Sequence, residues 1–216
     1  MTPAVIGKAT RILRRLRYEI LLAPNGRGFP VSKEVWDCQY RQGVWKSLNS
    51  LSELGHYMIV AGYVNQLLKR RRLLDVGCGH GRLLQILEPL GFDTYFGIDL
   101  SDEAIAEASL NRFENVSFEA ANFEEYVPAG AFDAVIFNES LCYASRPLDV
   151  LRRYQEALAD DGILVVSLCD YGNHGLMWQQ IESAFKAIDS TTVVNAKEQA
   201  WTIKVLVPAD TEREVI

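Results

Sequence analysis

The segment from Leu73 to Leu84, LLDVGCGHGRLL, carries glycines at three alternate positions, Gly77, Gly79 and Gly81. Apolar, strand-like residues precede the glycines and a helical pattern of leucine and isoleucine follows them at once, which predicts a strand, a tight turn and a helix. Glycine permits positive φ and leaves no Cβ between backbone and ligand, and the start of a helix offers unpaired N–H groups. The turn is therefore predicted to bind a polar small molecule.

A carboxylate ends the next predicted strand, Tyr95 to Asp99, about 20 residues beyond the turn, where an acidic side chain can accept hydrogen bonds from ribose hydroxyls. The dinucleotide pattern G-x-G-x-x-G fails, because Arg82 stands where the third glycine would be. The sequence therefore indicates a nucleoside ligand and gives no sign of a pyrophosphate.

Together, the glycine turn and the acid at the strand end resemble the class I S-adenosylmethionine (SAM) methyltransferases, whose first two motifs read like LLDVGCGHGRLL and GIDLS. The resemblance covers about residues 73–207 and implies SAM as cofactor, with S-adenosylhomocysteine as its product. In that family an aspartate at the exit of the third strand often bonds the adenine amino group, and Asn122 stands there with a carbonyl oxygen that can do the same. The cofactor-binding residues that the resemblance implies are Asp75, Gly77, Cys78, Gly79, Gly81, Asp99, Leu100, Ser101, Asn122, Phe123, Asn138 and Trp45.

Scattered residues carry a second likeness, to small bacterial methyltransferases found among polysaccharide, amino-sugar and secondary-metabolite genes. They are Trp36 and Trp45, Phe137-Asn138-Glu139 followed by Leu141-Cys142-Tyr143, and the run from Trp201 to Leu206. This likeness implies methylation of a small molecule or saccharide at an oxygen or a nitrogen atom. Two rival classes stay open, a non-catalytic partner protein with the same fold and another α/β enzyme with a nucleoside cofactor.

Strand and helix patterns alternate from Leu73 onward, which predicts a doubly wound α/β fold with helices on both faces of a parallel sheet. The last two predicted strands have no crossover helix between them and should be antiparallel, so five parallel strands and a hairpin give a sheet of seven. The later elements are predicted at Val116–Glu119, Phe132–Asn138, Pro147–Leu158 (helix), a turn at Asp160–Gly162, Ile163–Leu168, Leu176–Ile188 (helix), Thr191–Asn195 and Trp201–Val207.

Three regions are predicted along the chain: a basic amphipathic helix and connector in residues 1–30, a helical cover in residues 31–72 and the core in residues 73–216. The apolar stripe of the first helix can dock on the core or on a second copy in a homodimer, or it can bind a membrane surface. In the cover, aromatic residues and a histidine are either core or pocket-lining residues, namely Tyr40, Trp45, His56 and Tyr57.

Charge is unevenly placed along the 216 residues: residues 1–72 hold 13 basic and 4 acidic residues, a net charge of +9, and the remainder carries −15. The acidic core argues against nucleic acid as a substrate. No apolar run reaches the ~18 residues of a membrane span and the start lacks a signal peptide, so we expect a cytoplasmic protein, with the membrane surface as the alternative. The four cysteines are widely spaced and no cluster has metal-ligand spacing, so we expect neither disulfides nor a metal.

Methyl transfer from a sulfonium is an in-line displacement, so the protein chiefly has to position the acceptor and exclude water. A hydroxyl acceptor also needs a general base, whereas an amine needs only to lose its proton. The catalytic candidates are Glu139 and Tyr143 after the fourth strand and His174 after the fifth. Glu139 can orient the acceptor, hold the loop or act as base, and His174 is either an exposed bystander or a base.

Overall fold

Residues 30–170 and 174–211 are described by the computed structural model. The basic helix and most of the connector predicted for residues 1–30 lie outside the described residues, so docking, dimerisation and membrane binding stay predictions. No helix of the described part combines the length and the apolar character needed to cross a bilayer.

The cover consists of helix α1 (Lys33–Arg41), a 3₁₀ turn (Val44–Asn49) and helix α2 (Leu51–Leu67). Helix α2 buries one face against the sheet, whereas α1 buries no residue completely. Polar contacts attach α1 to the core instead. Ser101 Oγ donates to Asp37 Oδ1 at 2.7 Å, and the Arg41 guanidinium pairs with Glu103 at 2.8 Å.

Seven strands form one sheet in the order β3-β2-β1-β4-β5-β7-β6. The first five in this order are parallel, and β7 runs antiparallel to both β5 and β6. The predicted fold class and the terminal hairpin are confirmed. The bounds are β1 Arg72–Val76, β2 Thr94–Asp99, β3 Val116–Ala120, β4 Phe132–Asn138, β5 Leu158–Cys169, β6 Phe185–Val194 and β7 Ala200–Pro208.

Helices cover both faces of the sheet, because the buried strands are apolar on both sides. Leu73 packs into the core on the α2 side and Leu74 into the core on the opposite side, as the two-residue period of a strand requires. Chain order reverses between β1 and β4, so a crevice is expected outside the carboxyl ends of these strands. The later helices are α3 Arg82–Leu87, α4 Asp102–Ala108, α5 Pro147–Gln155 and α6 His174–Glu182.

The largest differences from the sequence prediction lie in two regions. Helix α6 ends at Glu182, and the predicted helical residues Phe185 and Ile188 belong to β6 instead. Phe185 and Ile188 are three positions apart, so on a strand they face opposite sides of the sheet, and each packs into the core on its own side. Apolar residues three positions apart are also typical of one face of a helix, which is why the sequence predicted a helix. The predicted turn at Asp160–Gly162 is an irregularity within β5, where Leu158 pairs with Phe132 but Ile163 pairs with Ala134.

Candidate active site

A cavity of about 370 Å³ lies at the carboxyl edge of the sheet, a volume within the range of small-molecule sites. Residues after β1, β2, β3, β4 and β5 line it, together with the start of β7. The cover closes it from the other side with aromatic and apolar residues that include Trp36, Tyr40, Trp45, Leu48 and Tyr57. Among the described residues no group of three His, Cys, Asp or Glu side chains could hold a metal ion.

Asp99 joins the glycine turn to the end of β2. Its Oδ2 accepts the N–H of Gly79 at 2.9 Å and its Oδ1 accepts the N–H of Ser101 at 2.9 Å. Burial raises the pKa of Asp99 from 3.8 to about 6, against the effect of these backbone donors. A carboxylate has about four lone-pair sites, so Asp99 can still accept hydrogen bonds from a ligand in the cavity.

The turn needs glycine for two reasons: its backbone has positive φ, and neighbouring side chains pack closely against it. Gly77, Gly79 and Gly81 all have positive φ. A Cβ on Gly79 would lie 2.7 Å from the Tyr40 hydroxyl, and one on Gly77 would overlap the Cβ of Ser140. The turn is therefore packed between the cover and the loop after β4.

Three of the predicted cofactor-binding residues are not among the residues that line the cavity, namely Asp75, Gly81 and Ser101. Asp75 is 2% exposed, faces the core on the α2 side and accepts a hydrogen bond from the Tyr95 hydroxyl. Gly81 is the residue before α3. Ser101 caps α4 by accepting the N–H of Ala104 at 3.2 Å. Asp75 and Ser101 thus make structural contacts, and Gly81 takes a left-handed conformation before α3.

The other predicted cofactor residues do line the cavity, namely Gly77, Cys78, Gly79, Asp99, Leu100, Asn122, Phe123, Asn138 and Trp45. Asn122 differs in one respect from its predicted role, because its Oδ1 already accepts the N–H of Glu124 at 3.0 Å. The carbonyl oxygen predicted to take an adenine amino group thus holds the turn after β3, with one lone pair left.

Glu139 follows β4 with a φ of 62°, unusual for a residue other than glycine. Its carboxylate reaches across to β5, where Oε1 accepts the Ser167 hydroxyl at 2.7 Å and Oε2 accepts the N–H of Cys169 at 2.9 Å. Burial raises the pKa of Glu139, while His56, Ser167, His174 and the Cys169 N–H oppose the rise. Glu139 therefore ties the two strand ends together and still lines the cavity.

His174, at the start of α6, is 5% exposed and lines the same cavity. Its Nδ1 bonds to the carbonyl oxygen of Cys169. A carbonyl oxygen only accepts, so Nδ1 carries the proton. Nε2 is buried and has no hydrogen-bond partner among the described residues, which leaves its lone pair available in the neutral ring. His174 is thus not an exposed bystander.

Comparison with known proteins identifies this arrangement. A family model described as a methyltransferase domain matches residues 51–201, more than half of the chain. The chain belongs to the class I SAM-dependent methyltransferases. The N-methyltransferase NodS from Bradyrhizobium japonicum, solved with S-adenosylhomocysteine, has the same fold at a TM-score of 0.65 and 17% identity, over 77% of this chain and 92% of that chain.

Two curated relatives share parts of this methyltransferase. The trans-aconitate 2-methyltransferase of Rhizobium etli is 31% identical over 101 residues, 46% of this chain. The ubiquinone biosynthesis O-methyltransferase of Neisseria meningitidis is 25% identical over 143 residues, 63% of this chain. The chain spans 39% and 58% of the length of these relatives.

The residues of the methyltransferase fit SAM. Asp99 has lone pairs for ribose hydroxyls, and Leu100 and Phe123 offer apolar surface for a base beside it. Gly77 and Gly79 bring backbone to the cavity wall at the turn, and the lining residue Arg82 can pair with a carboxylate. These residues would hold the cofactor with its nucleoside over β2 and β3.

An aromatic wall extends over the cavity of the methyltransferase. The Trp36 ring lies 5.3 Å from Trp45 and 4.8 Å, edge on, from Tyr143, measured between centroids. Tyr143 was predicted as catalytic, and the structure places it in this wall. The sequence argument missed Glu53 and Trp201, which also line the cavity. Trp201 could have been found, because it begins the last predicted strand; in the fold it pairs with Cys169 at the carboxyl end of β5.

His56 lies behind the cavity and is fully buried. It stacks on Trp201 at 5.1 Å, its Nδ1 lies 3.1 Å from Asn138 Oδ1, and its Nε2 lies 3.4 Å from Glu53 Oε2. It therefore supports lining residues from α2, β4 and β7 and does not line the cavity.

Proposed function

We propose that this chain transfers a methyl group from SAM to an oxygen or nitrogen atom of a small molecule or saccharide. One observation carries the proposal: a single cavity is lined both by Asp99, beside the glycine turn, and by His174, whose buried Nε2 has no hydrogen-bond partner among the residues that the structure describes. The first group suits a nucleoside, and the second suits removal of a proton from an acceptor.

SAM supplies an activated methyl group on a sulfonium, which is a good leaving group. The cover and the sheet enclose the cavity, so the chain can exclude water and hold the acceptor close to the methyl. His174 Nε2 takes the acceptor's proton, because the bond from Nδ1 to the Cys169 carbonyl fixes the tautomer with a free lone pair. Glu139 keeps the ends of β4 and β5 together beneath the acceptor.

The test is His174→Ala in the full chain, assayed with and without added imidazole. Loss of a proton acceptor should lower turnover by about 10²–10⁴-fold, while the Kd for SAM stays within a few fold. Imidazole should restore part of the turnover, since it can occupy the space and accept the proton.

A wild-type protein that binds no SAM by isothermal titration calorimetry would contradict the proposal and favour a partner protein with the same fold. Unchanged turnover in His174→Ala would remove His174 from the reaction. His80→Asn is the matched control, because His80 also lines the cavity but its Nε2 lies 3.3 Å from Asn49 Oδ1, in the cover.

A further inference from the structure

The cavity has two ends that the sheet order keeps apart. Neighbouring strands lie about 4.8 Å apart, and β2 and β5 are separated by β1 and β4, so Asp99 and the end of β5 are about 14 Å apart across the sheet. With the nucleoside over β2 and β3, the acceptor belongs at the ends of β4, β5 and β7. We call this the acceptor end; it comprises Glu53, Asn138, Glu139, His174 and Trp201.

Acidic side chains predominate at the acceptor end. Glu53 and Glu139 both line it, whereas Arg82 is the one lysine or arginine among the described residues that line the whole cavity. Arg82 follows the glycine turn at the end of β1 and so belongs to the cofactor end. An anionic acceptor would therefore face two carboxylates, with Arg82 as the one lysine or arginine among the described lining residues.

One carboxylate oxygen of Glu53 is available to accept a hydrogen bond from a ligand. The Glu53 side chain is 18% exposed, and the ring of His56 lies beside it, with Nε2 3.4 Å from Oε2. The other oxygen, Oε1, accepts no hydrogen bond from a residue that the structure describes. That oxygen can therefore accept a hydrogen bond from a ligand in the cavity.

Two buried polar side chains line the same cavity. His174 Nε2 has no partner among the described residues and can accept a hydrogen bond. Tyr57 is 6% exposed and lines the cavity, and burial raises the pKa of its hydroxyl. The charges of Asp75, Glu139 and Glu53 add to this rise in pKa, and that of Arg82 opposes it. A donor with several N–H groups and a positive charge would satisfy these acceptors together.

We propose that the acceptor is a small organic amine with an apolar or aromatic body, bound as its ammonium form between Glu53 and Glu139. The proposal rests on the proposed function and names its substrate class. The body of the amine packs against Trp201 and Tyr143, where aromatic faces also favour a cation.

The reaction balances with the groups present. The ammonium gives one proton to His174 Nε2, and the freed nitrogen lone pair forms a bond to the methyl carbon. The carbon–sulfur bond breaks with its electron pair left on sulfur. The products are the N-methylated ammonium ion and S-adenosylhomocysteine, and the imidazolium returns its proton to solvent.

Three probes of one shape and different charge test the proposal on the full chain saturated with S-adenosylhomocysteine. They are 2-phenylethylamine, 2-phenylethanol and 3-phenylpropionate, and their Kd values are measured by calorimetry. The amine should bind about tenfold more tightly than the alcohol, and the carboxylate should bind more weakly than both. With SAM in place of its product, mass spectrometry should show the amine gaining one methyl group.

Glu53→Gln should reduce the preference for the amine by about tenfold and leave the Kd for S-adenosylhomocysteine within a few fold. Glu88→Gln is the matched control, since it removes one carboxylate from an exposed turn and should leave the preference unchanged.

Binding of none of the probes, equal or tighter binding of the alcohol or the carboxylate, or an unchanged preference in Glu53→Gln would overturn the amine proposal. Methyl transfer to a different acceptor would in that case leave the proposed function standing. Failure of the wild type to bind SAM would be a failure of the proposed function itself.

Discussion

Asp99 Oδ2 accepts the backbone N–H of Gly79 at 2.9 Å, so the acid at the end of β2 holds the turn that follows β1. The two sequence features that first indicated a nucleoside ligand are therefore one hydrogen-bonded unit. Burial raises the pKa of Asp99 to about 6, which brings its ionisation close to neutral pH.

The first prediction is that SAM affinity depends on the ionisation of Asp99. The ionised carboxylate is the better acceptor for ribose hydroxyls, so the affinity for SAM should be highest, and independent of pH, above a pH of about 6. Below that pH it should fall by up to about tenfold per unit, because binding then has to remove a proton. Calorimetry between about pH 5 and 7.5 measures this slope.

Asp99→Asn is the control for the slope. It should weaken SAM binding at neutral pH by about 1.5–3 kcal/mol, the value of a hydrogen bond to a charged group, and abolish the pH dependence. A flat profile in the wild type, or the same slope in the variant, would contradict the prediction.

The second prediction concerns the contact between Gly79 and Tyr40. Gly79→Ala places a methyl group 2.7 Å from the Tyr40 hydroxyl, at a residue with a φ of +55°. The left-handed backbone alone costs a residue other than glycine roughly 1–2 kcal/mol. SAM binding should therefore weaken by about tenfold or more. Adding Tyr40→Phe removes the clashing oxygen and leaves Cζ at 3.8 Å. The double variant should recover part of the affinity, and no recovery would show that Tyr40 does not close on the turn.

The third prediction separates Asp75 from the cofactor. Burial raises the pKa of Asp75 from 3.8 to about 7, so the folded state is penalised when this group ionises. Asp75→Asn keeps an acceptor for the Tyr95 hydroxyl and loses the charge. The free energy of unfolding of the variant minus that of wild type should not depend on pH below pH 3.8. It should increase in favour of the variant between pH 3.8 and about 7, and keep its higher value above that.

Urea unfolding at about pH 4 and pH 8 measures this difference, and the same protein should bind SAM with wild-type affinity. If the difference in unfolding free energy between variant and wild type is the same at both pH values, ionisation of Asp75 does not destabilise the folded protein. A large loss of SAM affinity would return Asp75 to the cofactor-binding residues.

Local patterns explain what was predictable from the sequence. The glycine turn and Asp99 come from short motifs, and the strands β1 to β5 come from apolar runs between turn signals. Asp75 stands beside the glycines and points to the same face as Leu73, against Tyr95. The motif alone does not show this packing in the α2-side core.

The acceptor end was less predictable, because its geometry comes from contacts between distant residues. Glu139 is held by groups 28 and 30 positions away on β5. The free lone pair of His174 depends on the path of the chain back to the Cys169 carbonyl, and Glu53 reaches the cavity from the cover. Glu139 and His174 could be chosen as candidates from their residue types and positions in the sequence. Their contacts, and so the roles proposed for them, could be seen only in the folded structure.

The last prediction concerns Glu139, whose two oxygens are both used to join β4 to β5. In Glu139→Gln the amide oxygen can still accept the Cys169 N–H, and the Ser167 hydroxyl can turn to accept from the amide nitrogen. We therefore expect a folded protein with SAM affinity within a few fold of wild type and turnover lower by about 10- to 100-fold, as loss of a positioning charge would give. Because burial raises the pKa of Glu139 above its ordinary 4.5, the variant should also gain stability relative to wild type as the pH rises above 4.5.

Ser167→Ala is the matched variant, since it removes one of the two bonds and keeps the charge; its turnover should fall less than that of Glu139→Gln. A loss of about 10²–10⁴-fold in Glu139→Gln, together with loss of the low-pH limb of the wild-type rate profile, would instead make Glu139 the general base in place of His174. Unchanged turnover in Glu139→Gln would leave Glu139 with its structural role alone, because the tie between β4 and β5 would then be sufficient without the charge.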